Sequence, residues 1–505
     1  MCGICGILSP SVLLFSAEEP IYRMHRAQRH RGPDDSGIYR KGPIALASQR
    51  LAILDLSPAG HMPMSTEDSR FHIVHNGEIY NYRELRTELE TSGHRFKTGT
   101  DTEVILEMYK LYGPAMLERF NGMFAFAIWD EFEESLFIAR DRFGVKPLVY
   151  AMQNGVLFFA SEEKALVAGG VPAEFDEETW EELLYFRYVA GERTPYKNIK
   201  RLLPGHYLYW KNGAFTTHCW WSLEAKIEGR FSNITFEAAV EQLRAFFDET
   251  VRLRRISDVP VGVLLSGGLD SSALAAMSAQ QNGLISSFTV RFKEPKYDEG
   301  EYARMVADHW HLDAHELFVE DGNIPQLIEE ATRLLDAPLV HINDIHLLAI
   351  SKYAKPLVTV LLSGEGSDEI FGGYVRYRLF QNPRLLHMLG MVSLKIPTML
   401  DPSGRLRKST KLLRYGKLEN MLLFSSADIH PFEMGLEKES FHFSYRQQTL
   451  KRARQAYSEP LRQVLFYEQH TYLQSVLDRN DRMTMGASIE CREPYLDYRM
   501  VEWAA

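Results

Sequence analysis

The rhythm of the chain changes once, near residue 236, and that change restricts the fold more than any other feature. Up to about residue 210 the apolar segments are short and strand-like. Phe71-His72-Ile73-Val74 and Met123-Phe124-Ala125-Phe126-Ala127-Ile128-Trp129 are aromatic-rich runs beside Asn-Gly pairs, the pattern of buried strands. Leu46 to Leu54, Leu136 to Ala139 and Val156 to Ala160 read as further strands. Val104, Ile105, Met108, Leu111 and Tyr112 share one helical face, and Gly113-Pro114 ends that helix. Hairpin-linked strands with few helices imply a layered α+β unit over residues 2–210. Residues 211–235 lose periodicity, at Lys211-Asn212-Gly213 and again at Glu228-Gly229-Arg230, and read as a linker. From Phe236 strands and helices alternate: strand Val261 to Leu265, helix Ser272 to Gln281, strand Ile285 to Phe292, helices at 299–310 and 324–335, strand Leu357 to Leu362. Such alternation predicts a doubly wound α/β parallel sheet over residues 236–505, with ligands at the carboxyl ends of its strands. Beyond about residue 376 the chain reads as mostly helical.

Composition excludes several classes of function. With 45% hydrophobic and 25% charged residues in 505, the chain is neither disordered nor fibrous. A net charge of −10 argues against a nucleic-acid-binding body. Four cysteines are too few for a disulfide framework and point to a reducing, cytoplasmic setting. No membrane partner is expected: Ser271 to Val290 is rich in Ser, Gln and Asn, and Leu385 to Leu394 is too short to span a bilayer. The N-terminus carries no basic residue before Arg23, so it lacks the basic region of a secretory signal. Two basic clusters, Arg23 to Arg31 and Arg405 to Arg414, read as solvated or ion-paired faces in so acidic a chain, and no role is assigned to them.

Cys2 directly follows the initiator Met. Removal of Met1 would leave a thiol and a free α-amine on one residue. Their reference pKa values, about 8.5 and about 7.7–8.0, make proton transfer between them easy near neutrality. Cys2-Gly3-Ile4-Cys5 could also be half a zinc site, but Cys219 and Cys491 are isolated, which argues against it. Three other segments bear on the choice: Arg29-His30-Arg31-Gly32-Pro33-Asp34 with Arg50 beyond it, His75-Asn76-Gly77-Glu78-Ile79-Tyr80-Asn81, and Thr98-Gly99-Thr100-Asp101-Thr102-Glu103. Each alone could be a turn, a hairpin loop or a helix cap. Together with Cys2 they resemble the class II glutamine amidotransferase domain, an N-terminal-nucleophile αββα sandwich. The resemblance implies that Cys2 attacks the glutamine amide and releases ammonia from a thioester intermediate. It implies an oxyanion hole at Asn76 and the Gly77 N–H, a glutamine α-carboxylate on Arg50, and its α-ammonium near Glu78 and Asp101.

A second constellation follows the strand Val261 to Leu265: Ser266-Gly267-Gly268-Leu269-Asp270-Ser271-Ser272 opens a helix. Glycines there let backbone N–H groups approach an anion, and the helix N-terminus adds positive potential. The Walker spacing and its lysine are missing. A plain strand-to-helix connection would serve for this loop alone, but Ser363-Gly364-Glu365-Gly366-Ser367-Asp368-Glu369 repeats the pattern after another strand. The pair resembles the PP-loop of ATP pyrophosphatase domains. That resemblance implies ATP held by Leu264, Ser266, Gly267, Gly268, Asp270, Ser271, Val290, Ser363 and Gly364, with Mg²⁺ on Asp270 and Asp368. The segment from Asp481 to Asp497 also matches and reads as scaffold.

A glutaminase unit followed by this unit resembles the glutamine-hydrolysing asparagine synthetases. The implied reaction makes an acyl-adenylate from a carboxylate, aspartate in that family, and Mg-ATP. Ammonia arriving through an internal tunnel converts it to the amide, with Glu365 as general base. The alternative is a pathway amidotransferase acting on another carboxylate in polysaccharide or peptide assembly. A non-catalytic relative would have no need of Cys2, Asn76, Asp270, Glu365 and Asp368 together. The chain departs from the family at His341 and His346, in the stretch that shapes the acceptor pocket. No lysine follows Lys451, where relatives carry one that assists adenylation, so a truncated carboxyl end is expected. A homodimer is the assembly to test for.

Overall fold

The computed structural model describes residues 2–9, 18–228, 233–281, 283–319, 321–339, 341, 343–381, 411–435 and 443–505. Strands β1 (Cys2–Leu8), β2 (Asp35–Lys41) and β3 (Ile44–Arg50) open the chain, followed by β4 (Met64–Ser65), β5 (Phe71–Ile79), β6 (Gly122–Asp130) and β7 (Ser135–Arg140). Then come β8 (Val149–Gln153), β9 (Val156–Ala160), β10 (Lys200–Arg201), β11 (His206–Lys211) and β12 (Ala214–Cys219). They form two antiparallel six-stranded sheets, ordered β10-β8-β9-β1-β3-β2 and β12-β11-β7-β6-β5-β4. The sheets face each other across a core in which Ile4, Leu46, Val74, Ala125, Ala127 and Leu136 are buried. Each Ile, Leu or Val side chain there contributes about 1.5–3 kcal/mol by leaving water. Helix Glu18–Ala27 covers the outer face of the first sheet through Ile21 and Met24, and helix Asp101–Tyr112 covers the second through Tyr109 on Phe71. The result is the αββα sandwich.

A third, parallel sheet carries the rest: β13 (Val261–Leu264), β14 (Ser286–Arg291), β15 (Asp313–Phe318), β16 (Val360–Leu362) and β17 (Glu490–Arg492), in the order β15-β14-β13-β16-β17. The chain runs outward from β13 to β15 and then returns to the other side of β13 as β16. That reversal opens a crevice at the carboxyl ends of β13 and β16, the usual ligand position in such sheets. Both glycine-serine loops start there.

Two local expectations need correction. The stretch read as a linker from residue 211 contains β12, which pairs with β11 through an Asn212-Gly213 turn. Both turn residues have positive φ (54° and 80°), the conformation that hairpin turns of this kind require. β12 is the exposed edge of its sheet, so its sequence shows no apolar alternation. Asn76-Gly77, in turn, is no loop. It lies inside β5, where Gly77 pairs with Phe124 of β6. The runs Leu385 to Leu394 and residues 405–410 of the second basic cluster lie outside the described residues.

Candidate active sites

Cys2 begins β1, directly across from Arg50 of β3. Its side chain is buried beside a narrow, half-open cleft lined by Cys2, Arg50, His75, Gly77, Glu78 and Asp101 among others. Of the residues expected for the glutaminase, these five besides His75 share one cavity, and Asn76 stands immediately behind it. Asn76 Oδ1 accepts a hydrogen bond from the Cys2 backbone N–H at 3.0 Å, while its buried Nδ2 has no partner. A buried donor left free costs about 1–3 kcal/mol unless something occupies it. That orphan suits an oxygen that becomes negative only during reaction.

The electrostatics of the cleft are uneven. Burial pushes the Cys2 thiol up, and Arg50 is among the groups that pull it down. Arg50 is held in place by the carbonyls of Leu54 (3.1 Å) and Asp55 (2.7 Å). Asp101, at the start of its helix, accepts from the Ile79 N–H at 2.8 Å and so ties that helix to β5. Burial, and then Asp101, push the Glu78 carboxyl well above its usual range against the pull of Arg492. His75 was assigned no role in the sequence. It lines the cleft, bonds Thr102 Oγ1 through Nδ1 at 3.1 Å, and leaves a buried Nε2 unpartnered. Arg31 was also overlooked, within a cluster read as a solvated or ion-paired face. It is fully buried, donates from Nε to the Cys2 carbonyl at 3.1 Å, and pairs with Glu162 and Asp481.

Gly77 sits at φ 151°, and an added Cβ would overlap the Met123 carbonyl of β6. A Gly77→Ala variant therefore has to shift β5 away from β6 and tilt the adjacent N–H. Strain of this type costs about 1–3 kcal/mol. The expected outcome is a folded protein whose glutamine hydrolysis, read as glutamate release, falls at least about 10²-fold.

At the crevice, β13 leads into the loop before helix Leu269–Gln281. Ser266 Oγ and Ser271 Oγ lie 3.0 Å apart, and the Gly268 N–H bonds Ser266 Oγ at 3.2 Å. Gly267 has φ 85°, and a Cβ there would stand 2.7 Å from the Ala303 nitrogen. The second loop follows β16, with the Ser363 N–H on the Arg492 carbonyl at 2.9 Å. The loops touch: a Cβ on Gly364 would come within 3.3 Å of the Ser271 nitrogen. Burial, then Asp270 and Glu365, push Asp368 up to about 6. Asp270 and Asp368, brought close by the two loops, are the carboxylates here that could hold a hard cation together with phosphate oxygens. Glu365 accepts from Arg479 at 2.9 Å. Leu264 and Val290 pack half-buried against Phe288 and Leu361 near the same strand ends. His341 sets its ring edge-on to Tyr472, and His346 does the same to Phe292.

β17 and helix Tyr472–Gly486 form a buried polar seam between the two sites. Arg492 bridges Glu490 (2.5 Å) and Glu78 (3.3 Å), Lys146 lies 3.4 Å from both Asp481 and the Cys491 carbonyl, and Asn480 donates to Glu493 at 2.5 Å. Each of these residues is at most 5% exposed.

An N-terminal thiol in a four-layer sandwich and paired loops on a parallel sheet define a class II amidotransferase joined to a PP-loop synthetase. Sequence comparison agrees. The glutamine amidotransferase domain family matches residues 1–221 and the asparagine synthase family residues 242–505. The chain is 33% identical to asparagine synthetase [glutamine-hydrolyzing] 1 of Bacillus subtilis over 98% of its length and 79% of that protein's. It is 30% identical to asparagine synthetase [glutamine-hydrolyzing] 3 of the same organism, over 100% and 80%. A putative asparagine synthetase of Methanocaldococcus jannaschii is 34% identical over 80% and 82%. The chain belongs to the glutamine-hydrolysing asparagine synthetase family.

Proposed function

We propose that the protein is a glutamine-dependent asparagine synthetase, forming asparagine, AMP and pyrophosphate from aspartate, Mg-ATP and the amide nitrogen of glutamine. One observation carries the reading: the Cys2 cleft and the paired glycine-serine loops meet the two ends of one buried polar seam. Cys2 attacks the glutamine amide, with the Asn76 Nδ2 and Gly77 N–H groups aimed at the oxyanion. Arg50 offers a planar fork to the α-carboxylate, and Asp101 with Glu78 faces the α-ammonium. Ammonia then moves along the seam, which keeps it from bulk water.

At the crevice the acceptor carboxylate attacks the α-phosphorus of ATP. The N–H groups of Gly267 and Gly268 and the start of helix Leu269–Gln281 hold the departing pyrophosphate. Glu365, steered by Arg479, takes a proton from the nitrogen that displaces AMP. Asp270 and Asp368 would hold Mg²⁺, which supplies charge neutralisation for the phosphates. Among the described residues no group of three or more His, Cys, Asp or Glu side chains forms a metal cage. A carboxylate pair completed by phosphate oxygens is how Mg²⁺ is commonly bound. No helix among the described residues is long and apolar enough to cross a membrane.

The test is an acceptor screen scored by pyrophosphate release with glutamine supplied. Aspartate is expected to lead. Release with another carboxylate but none with aspartate overturns the choice of acceptor. Light scattering reads the assembly, a homodimer giving twice 58.1 kDa.

A further inference from the structure

Glu493 belongs to the seam but has no task in the reaction described above. It follows β17 at its carboxyl end, directly after Arg492, whose carbonyl holds the Ser363 N–H at the start of the Glu365 loop. Its side chain is 5% exposed. One oxygen, Oε1, accepts from Asn480 Nδ2 at 2.5 Å, and the other, Oε2, is buried with no partner. A carboxylate can accept about four hydrogen bonds, so this buried oxygen, which no protein group bonds, is able to accept from a donor that passes it. The charged groups facing it are Lys146 from the loop after β7, Asp481 from helix Tyr472–Gly486, and Glu365 from the loop after β16, with the Cys491 sulfur beside Asn480.

We propose that Glu493 is a proton acceptor on the ammonia path, its free oxygen stripping ammonium to ammonia before the nitrogen reaches the adenylate. The inference rests on the synthetase reading above. Ammonia that takes a proton from water in the glutamine cleft enters the seam as ammonium; in the step, one of its N–H bonds breaks and the electron pair stays on nitrogen. The proton forms an O–H bond on Oε2, giving ammonia and a carboxylic acid. The acid returns its proton to water between turnovers. Burial pushes this carboxyl up to about 7, with Lys146 and Asn480 pulling it down and Asp481 and Glu365 adding to the rise, so both forms are populated near neutrality. The position lies one residue past the Arg492 that contacts Glu78, so one strand reaches from the glutamine cleft to the acceptor oxygen.

The experiment uses the full chain with glutamine or ammonium chloride as nitrogen source, measuring amide product and glutamate together. In Glu493→Gln the amide formed per glutamate released is expected to fall about tenfold. Amide formation from ammonium chloride in alkaline buffer, where ammonia is already neutral, is expected to persist. Glu493→Asp, which keeps the carboxylate, is expected to recover part of the ratio. An unchanged ratio in Glu493→Gln overturns the inference, and so does an equal loss with both nitrogen sources. A wild-type chain that makes no amide from glutamine sinks the underlying reading instead.

Discussion

A Cys2→Ala variant is expected to lose glutamine-driven amide synthesis by a factor on the order of 10⁴ or more while keeping synthesis from ammonium chloride. The size of the loss follows from the site. Deleting the sulfur removes the only atom at the head of β1 able to form a thioester, and the Asn76 and Gly77 donors then have no intermediate to stabilise. The survival of the ammonium-driven reaction follows from the architecture. Cys2 lies in the sandwich, and the loops that would handle ATP lie on a separate sheet. Loss of one sulfur from a buried position leaves a small void worth about 1 kcal/mol, which a core of this size tolerates. Glutamate release and AMP formation measured in parallel check both halves. Glutamine-driven synthesis that persists in Cys2→Ala overturns the assignment of the nucleophile.

The second large effect is the mirror image. Asp368→Asn is expected to reduce pyrophosphate release about 10³-fold with either nitrogen source, while glutamine hydrolysis continues. Asparagine keeps the shape of the side chain and removes its charge. Burial, Asp270 and Glu365 push this carboxyl up to about 6 against the pull of Arg376, so the negative charge is crowded there. A bound cation would relieve the crowding, and the amide would weaken its hold. Continued glutaminase activity in the variant separates this outcome from unfolding. Pyrophosphate release at the wild-type rate would remove Asp368 from the nucleotide site.

Much of this was legible in the sequence because the informative residues are local. Ser266 through Ser272 form one loop and the start of the helix after it, and the same holds for Ser363 through Glu369. Strand-then-glycine order is enough to place both at a sheet's carboxyl edge. Cys2, Asn76 and Asp101 are far apart in sequence, yet each sits in a short motif that resembles a family pattern. Arg31 and His75 were within quoted motifs but had no role, because their meaning depends on which buried atoms they meet. An arginine in a basic cluster looks solvated until β1 supplies a carbonyl and Asp481 a carboxylate. β12 was lost to the linker because an exposed edge strand carries no apolar alternation. Asn76-Gly77 looked like a turn because a glycine inside a strand is unusual and is explained only by the neighbour it must clear.

Helix Tyr472–Gly486 holds both chemistries at once. Asp481 grips the arginine that steadies the Cys2 carbonyl, and Arg479, two residues earlier, grips Glu365. Chimeras assembled from two relatives by joining one's front half to the other's back half would inherit this helix matched to only one partner. The halves behave as a fitted pair, and a seam borrowed from a cousin would misalign one workshop or the other.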